Sequence, residues 1–237
     1  MRFRIPPHPD SVFAMYSPEH LSSLNAELGA KSPLDITRWA LALSGGRAIV
    51  STNFRPYEAA VLHVVTQVQP GIPVLWVDHG YNRPATYRHA EELRTLLNLN
   101  LKPFLPRITA AHRDAVHGPI PGPDDEERLK RFSALMKLEP FQRGMRELAP
   151  KVWVTALRKV QNPNRAGLDV LSVDENFGTL KVSPFFYFSD EQMEAYLTAH
   201  RLPNEHDYFD PAKADEKREC GLHASWGKRA ATAAATT

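Results

Sequence analysis

The feature that most constrains the fold of this chain is an alternation of short apolar segments with longer amphipathic ones. The candidate strands are 47–50, 73–77, 99–104 and 151–156, and the candidate helices are 17–43 (broken near 32–33), 59–68, 86–97, 128–148 and 190–200. Strands that alternate with helices are typical of βαβ units. The sequence therefore predicts an α/β fold, with a mostly parallel sheet flanked by helices.

Three regions follow from composition along the chain. Residues 1–16 are rich in proline and predict a loose N-terminal arm. Residues 17–202 hold the alternating pattern and predict one α/β domain, which the polar loops described below make a candidate nucleotide-binding domain. Residues 203–237 are polar and interrupted by proline, with few apolar side chains to hold them to a core. We expect this last region to be a mobile C-terminal tail that closes over bound ligand.

Bulk composition excludes several classes of protein. The hydrophobic fraction is 43%, the charged fraction is 24% and the formal net charge is +2, values that are ordinary for a globular protein and give no support to a nucleic-acid or membrane partner. No apolar run is long enough to span a bilayer, and the N-terminus lacks the apolar stretch of a signal peptide. We expect a cytoplasmic protein.

The chain has a single cysteine, Cys220. It cannot form an internal disulfide or supply the four thiolates of an iron–sulfur cluster, so we expect no bound cluster. Lys217, Arg218 and His223 surround it, and positive neighbours favour the nucleophilic thiolate. A lone cysteine is more often buried and inert, but the polar segment around Cys220 fits that alternative poorly. We therefore expect Cys220 to be catalytic.

Polar loops follow three of the predicted strands, at 51–56, 78–81 and 158–165. In a parallel sheet these loops open on the same edge, where ligands bind. The hydroxyl and amide groups of Ser51, Thr52 and Asn53, with exposed N–H groups at a helix start, would suit a phosphate. An ordinary helix cap explains the same residues equally well.

The other two loops add candidate ligands for a nucleotide. Asp78 could orient a ribose hydroxyl or cap the following helix. Arg158 and Arg165 bound a loop that contains Gln161, and two guanidinium groups there fit a phosphate or a sulfate, because guanidinium binds oxyanions in a bidentate manner. The ten histidines show no spacing typical of a metal site, so we expect no metal.

The chain resembles the phosphoadenylyl-sulfate (PAPS) reductase family in its cluster-free, thioredoxin-dependent form, over roughly residues 20–224. The segment 217–223, Lys-Arg-Glu-Cys-Gly-Leu-His, is the most specific motif. The others are 77–81 with Pro84, Thr86 and Tyr87, the Lys-Leu-Glu-Pro segment 137–140, the arginine loop 157–165, and the segment 51–58 in place of the phosphate loop.

The resemblance implies an adenine nucleotide alpha hydrolase-like (pyrophosphatase-loop) fold and reduction of PAPS to sulfite, with release of adenosine 3′,5′-bisphosphate. It implies an S-sulfocysteine intermediate on Cys220, resolved by thioredoxin or glutaredoxin as external electron donor. A single thiol cannot supply two electrons by forming a disulfide within the chain. The second thiol must therefore come from another molecule. Together the loops and the motifs assign substrate binding to Ser51, Thr52, Asn53, Asp78, Gly80, Tyr81, Lys137, Arg158, Gln161, Arg165, Lys217, Arg218 and His223.

The sequence departs from the family pattern in places. Arg55 and Pro56 stand where relatives have a glycine-containing turn, and Val160 and Asn162 replace a glutamate and a serine of the arginine loop. The connection over 200–217 is short. These differences keep three alternatives open: a cluster-free reductase of adenylyl sulfate (APS), a relative with altered catalysis, and a non-catalytic nucleotide-binding relative, which would have no need of Cys220. A homodimer is also compatible with the sequence.

Overall fold

The structure, a computed structural model, describes residues 16–122, 124–161 and 167–212. The α-helices in these ranges are α1 (Pro18–Leu28), α2 (Pro33–Leu43), α3 (Glu58–Val68), α4 (Pro84–Leu96), α5 (Ala110–His117), α6 (Glu126–Ser133), α7 (Glu139–Leu148) and α8 (Asp190–His200). A π-helical segment, Ala134–Leu138, joins α6 to α7, and a short 3₁₀ helix, Lys159–Gln161, follows the fourth strand. None of the helices in these ranges has the length and apolar character needed to cross a membrane.

The strands form a six-stranded sheet in the order β3-β2-β1-β4-β6-β5. They are β1 (Ala48–Thr52), β2 (Pro73–Val77), β3 (Asn100–Phe104), β4 (Val152–Val154), β5 (Leu171–Asp174) and β6 (Thr179–Val182). All neighbouring pairs are parallel except β5 with β6. The predicted α/β fold with a mostly parallel sheet flanked by helices is therefore confirmed.

The order of the strands reverses between β1 and β4. From β1 the chain moves outward through β2 to β3 and then returns to pair β4 with the other side of β1, so Val50 is aligned with both Val74 and Val154. Ligands of open α/β sheets bind at such a reversal, beyond the carboxyl ends of the strands. The loops after β1, β2 and β4 all leave this same edge, as the sequence predicted.

Alternate residues of the central strands enter two different cores. Val50 packs in the larger core with apolar residues of α2, α3 and α8, whereas its neighbour Ile49 packs in a smaller core with Phe141 and Met145 of α7. Helix α7 lies very close to the sheet, since a Cβ atom added to Gly144 would stand 2.8 Å from Leu75 Cδ1.

Local sequence signals explain where the first helices begin. Ser17 and Ser32 accept backbone hydrogen bonds as N-caps, and each is followed by a proline in the first turn. The predicted break near 32–33 is thus confirmed. Helix α5 is missing from the sequence prediction, which ended the third strand without a following helix, and its Thr109 cap is the signal that could have shown it.

The boundary expected at residue 202 needs correction. Residues 203–212 lack helix and strand but pack on the domain: Asn204 Oδ1 accepts a hydrogen bond from Tyr57 N at 2.9 Å, and Asp210 and Ala212 are buried. Polar side chains that pair with distant partners hold this segment in place of apolar anchors. The N-terminal arm, apart from its last residue, and the tail from residue 213 onward lie outside the described residues, so their expected mobility stays a prediction.

Candidate active site

The loop after β1 is organised around the carboxylate of Glu58, the first residue of α3. Glu58 Oε2 accepts hydrogen bonds from Thr52 Oγ1 at 2.8 Å, Asn53 N at 2.7 Å and Arg55 N at 3.3 Å. Phe54 N in turn donates to Thr52 Oγ1 at 2.9 Å. A negative charge thus already occupies the start of α3, where the helix dipole favours an anion.

This arrangement changes the expected phosphate cradle. The sequence predicted exposed N–H groups in this loop, but those of Asn53, Phe54 and Arg55 donate to Glu58 or Thr52, and Tyr57 N donates to Asn204. Oxygen atoms of the protein itself accept the hydrogen bonds that a bound phosphate would otherwise accept. In this conformation an anion could contact the loop only through side chains.

Two residues of the same loop hold backbone conformations that favour glycine. Phe54 has φ 55° and Tyr57 has φ 72°, and each such residue costs about 1–2 kcal/mol relative to glycine. Phe54 is fully buried with its ring edge-on to Trp76, at 5.1 Å between ring centres. This packing holds the loop in its shape despite that cost.

Ser51 and Thr52 face opposite sides of the sheet. Ser51 Oγ accepts a hydrogen bond from Trp153 Nε1 at 2.8 Å, so it lies over the smaller core. Thr52 faces the start of α3 on the other side. The two hydroxyls that the sequence grouped as phosphate ligands are therefore separated by the sheet.

Asp78, directly after β2, is a hub for the second loop. Its Oδ1 accepts hydrogen bonds from Tyr87 Oη at 2.7 Å, Gly80 N at 3.1 Å and Asn82 Nδ2 at 3.1 Å. Burial, and then the bond to this carboxylate, raises the pKa of Tyr87 to about 12. The loop is held by its own contacts, with Gly80 at φ 77° in the conformation that favours glycine.

Tyr81 is directed away from Asp78. Its hydroxyl donates to Asp114 Oδ1 at 2.6 Å, and its ring lies 5.5 Å from that of Phe132. Burial and the bond to Asp114 raise the pKa of Tyr81 to about 12. The side chain of Tyr81 therefore ties the second loop to α5 and α6.

Arg158 is a buried cation at the carboxyl end of β4. Its guanidinium donates to Asp190 Oδ1 at 2.6 Å and to the carbonyl of Phe188 at 3.2 Å, and it lies 4.9 Å from the centre of the Tyr57 ring. Gln161 Oε1 accepts from Arg158 N at 3.1 Å. Arg158 thus connects the loops after β1 and β4 to the start of α8, and its charge is compensated within the protein.

Lys137 is also buried. It lies on the π-helical segment and forms an ion pair with Asp210, although the two are 73 positions apart. His79 lies close to this pair: burial and then the Lys137 charge lower the pKa of His79 to about 4. Burial raises the pKa of Asp210, but the charge and hydrogen bond of Lys137, the N–H of Ala212 and nearby His79 together outweigh burial and leave the pKa below its ordinary value.

The structure brings most of the predicted residues to one edge of the sheet. The residues described there are Ser51, Thr52, Asn53, Asp78, Gly80, Tyr81, Lys137, Arg158 and Gln161. The remaining predicted residues, Arg165, Lys217, Arg218, Cys220 and His223, lie outside the described residues. A crevice between the loops after β1 and β4 is lined by residues that include Pro56, Tyr57, Ala156, Arg158 and Gln161.

Four residues of this site were missed by the sequence prediction: Tyr57, Glu58, Asp190 and Asp210. Glu58 and Asp190 occupy the first turns of helices, where acidic residues are common for simple reasons of helix stability. What distinguishes these two residues is their hydrogen-bond partners in the folded protein, and no local sequence pattern predicts those partners.

A family model described as phosphoadenosine phosphosulfate reductase domain matches residues 47–209, most of the chain. The chain belongs to this reductase family. Similar proteins carry the same name: a phosphoadenosine 5′-phosphosulfate reductase of Synechococcus sp. is 32% identical over 227 residues, covering 86% of this chain and 97% of the relative. One from Synechocystis sp. is 34% identical, covering 86% of this chain and 90% of the relative.

Solved structures of the family and of its fold agree with this assignment. The phosphate complex of the PAPS reductase from Candida auris superposes with a TM-score of 0.69 at 25% identity, over 80% of this chain and 89% of that one. The FMN adenylyltransferase of Candida glabrata, at 13% identity and a TM-score of 0.52 over 85% of this chain and 62% of that one, shares the fold alone. The predicted fold class, adenine nucleotide alpha hydrolase-like, is confirmed.

Proposed function

We propose that this protein reduces PAPS to sulfite and releases adenosine 3′,5′-bisphosphate. The observation that carries the proposal is the Lys-Arg-Glu-Cys-Gly-Leu-His segment 217–223, which holds the only cysteine of a chain that belongs to the reductase family. A nucleotide-binding relative without catalysis would need no such thiol. The relatives' name supports PAPS as the substrate.

The first step is a transfer of the sulfonate group to Cys220. The Cys220 thiolate attacks the sulfur of PAPS, a bond forms between the two sulfur atoms, and the bond from sulfur to the phosphate oxygen breaks. The nucleotide leaves with that bonding electron pair, and the protein holds S-sulfocysteine. Lys217, Arg218 and His223 are cations, or become so on protonation, that would stabilise the thiolate before attack and the sulfonate after it.

The second step needs an external dithiol of the thioredoxin or glutaredoxin type. One of its thiolates attacks Cys220 Sγ, and sulfite leaves with the electron pair of the sulfur–sulfur bond. The second thiol of the donor then resolves the mixed disulfide, so the donor is oxidised to a disulfide and Cys220 returns as a thiol. Two electrons pass from the dithiol to the sulfate sulfur, which balances the reaction.

We place the nucleotide along the sheet edge outside the crevice beside Tyr57 and Arg158, because the crevice itself is too small to enclose it. The crevice lies at the reversal of strand order between β1 and β4, the position that binds ligands in open α/β sheets, and Asp78 lies at the same edge after β2. The Asn53 side chain, Gln161 and Arg165 are the proposed polar contacts. Since Arg158 is paired with Asp190, we assign it to shaping the pocket around Tyr57 unless ligand binding breaks that pair.

The direct test is a single-turnover reaction without reductant, followed by mass measurement of the intact protein. Incubation with PAPS should add the mass of one sulfonate group, and peptide mapping should place it on Cys220. APS is the parallel arm, because a larger yield with APS would support the alternative substrate. Cys220→Ser is the matched control: it should bind adenosine 3′,5′-bisphosphate and acquire no sulfonate. Absence of the adduct with both nucleotides would refute the proposal.

A further inference from the structure

The ion pair between Lys137 and Asp210 is the most deeply buried pair of charges that the described residues contain at the edge of the sheet. The side chains are 2% and 4% exposed. Asp210 Oδ1 also accepts a hydrogen bond from Ala212 N at 3.1 Å, which turns the chain at this point. The pair thus fixes the last part of the chain that the structure describes.

Buried ions are a costly way to hold two segments together. Removing two charges from water offsets much of their attraction, and apolar side chains of similar size often stabilise a fold as well or better. The position of Lys137 on a π-helical segment adds to this, since such segments are frequent at functional sites. These features favour a role in setting geometry over a role in stability alone.

The rest of the segment shows a graded attachment. Asn204 is bound to Tyr57 N, and Asp207 forms a half-exposed ion pair with Arg83 at the start of α4. Arg83 also lies 5.8 Å from the centre of the Phe209 ring. The segment therefore crosses the carboxyl edge from the loop after β1, past α4, to the Lys137 pair beside His79, and it is most deeply buried at its end.

We infer that Lys137 and Asp210 are positioning residues, which anchor the base of the C-terminal segment so that Cys220 is delivered to the bound nucleotide. This inference rests on the proposed function. It assigns Lys137, which the sequence grouped with the substrate ligands, to the tail instead, because its ammonium group is paired and buried.

The length of chain makes the anchor effective. Cys220 follows Asp210 by ten residues and follows Asp207, the next ion-paired residue of the segment, by thirteen. Ten residues reach at most about 35 Å, so the anchor sets an upper limit on the distance of the thiol from the sheet edge. Loss of the anchor would lengthen the chain between Cys220 and its nearest ion pair from ten to thirteen residues, which would lower the effective concentration of the thiol about 1.5-fold, and lost orientation would add to that loss.

The test compares Asp210→Asn, Lys137→Met and the double variant in two measurements. One is the affinity for adenosine 3′,5′-bisphosphate, by calorimetry, and the other is the single-turnover rate of sulfonate transfer from saturating PAPS to Cys220. Both single variants should slow transfer by about 2- to 100-fold and lower affinity by a smaller factor. The double variant should be no slower than the slower single one, since both remove the same contact.

Two controls distinguish a loss of Cys220 positioning from general disruption of the protein. Asp207→Asn makes the same chemical change on the same segment at a half-exposed pair, and it should slow transfer less than Asp210→Asn. Alkylation of Cys220 by uncharged iodoacetamide should proceed at the wild-type rate in every variant, which shows that the thiol itself is unchanged. If circular dichroism shows that a single variant does not fold, the transfer rate and affinity of the double variant serve as the test, because the double variant leaves no unpaired buried charge.

The outcomes are distinct. An unchanged transfer rate in folded variants, or a loss of affinity as large as the loss of rate, overturns the inference; the second result would return Lys137 to the substrate ligands. A wild-type protein that forms no adduct refutes the proposed function itself, and the inference falls with it. Slower transfer beyond any change in affinity, with alkylation unchanged, supports the anchor.

Discussion

Thr52 and Glu58 are joined by a buried hydrogen bond of 2.8 Å between the Thr52 hydroxyl and Glu58 Oε2. The same carboxylate oxygen accepts the N–H groups of Asn53 and Arg55. The carboxylate thus stands inside the loop in the manner of a bound anion. It connects the end of β1 to the start of α3 and holds the loop in the shape that leads to Tyr57.

Glu58→Ala should destabilise the fold, because it leaves several donors of a buried loop without their acceptor. A loss of about 1–3 kcal/mol in the free energy of unfolding is expected, measured by urea denaturation. Glu58→Gln should cost less, since an amide oxygen still accepts hydrogen bonds. Glu27→Ala on the exposed face of α1 is the control and should stay within about 0.5 kcal/mol of wild type. Equal stability of Glu58→Ala and Glu27→Ala would contradict this account of the loop.

Gly144→Ala should destabilise the protein although alanine is the better helix former. The added Cβ would lie 2.8 Å from Leu75 Cδ1 and 2.9 Å from Phe104 Cδ2, so α7 or the sheet must shift. Overpacking of this kind costs about 1–3 kcal/mol, against a gain of about 1 kcal/mol in helix propensity. The midpoint of urea denaturation should fall. Gly122→Ala is the control, because nothing lies within 4 Å of its added Cβ. A midpoint for Gly144→Ala above that of wild type would show that α7 can move at little cost.

The stability of the protein should decrease as the pH falls from about 6.5 toward about 4, in part because of His79. Burial and Lys137 lower the pKa of His79 from 6.5 to about 4, so within this window the unfolded state binds a proton that the folded state does not. Nearby Asp78 and Asp210 oppose this shift but do not cancel it. The full shift corresponds to about 3 kcal/mol, lost on acidification across the window.

Urea denaturation of wild type and His79→Gln at several pH values between 4 and 7 measures this contribution. The variant should lose less stability on acidification, and the difference between the two curves isolates His79 from other histidines with lowered pKa, such as His63 and His89. Parallel curves would mean that His79 binds its proton equally in the folded and unfolded states, so that burial does not lower its pKa.

Much of the fold could be predicted because its signals are local. A short run of apolar residues such as 73–77 indicates a buried strand without reference to the rest of the chain. Ser32 followed by a proline begins a helix through contacts with its own first turn. The meeting of three polar loops at one edge also follows from the sequence, since parallel strands end on the same side. The antiparallel pairing of β5 with β6, which the sequence analysis did not predict, also has a local cause, since only residues 175–178 separate the two strands.

The candidate site was only partly predictable because its decisive contacts are between distant residues. Arg158 faces Asp190, and Lys137 faces Asp210, 32 and 73 positions away. In the sequence a charged residue that will be buried in an ion pair looks the same as one that will be solvated. The expectation that 203–212 has little to hold it went wrong for this reason: its attachments are polar and long-range.

The sequence by itself determined the class of fold, the meeting of three polar loops at one edge of the sheet, and the lone thiol of Cys220 among cationic neighbours in the chain. These depend on hydrophobic periodicity, on the direction of parallel strands and on the chemistry of single side chains. Only the tertiary structure decided that Glu58 occupies the anion position of the first loop, that Ser51 and Thr52 face opposite sides of the sheet, and that Asp210 holds the C-terminal segment. Each of these is a pairing made possible when the folded sheet and helices place separated parts of the chain within hydrogen-bonding distance.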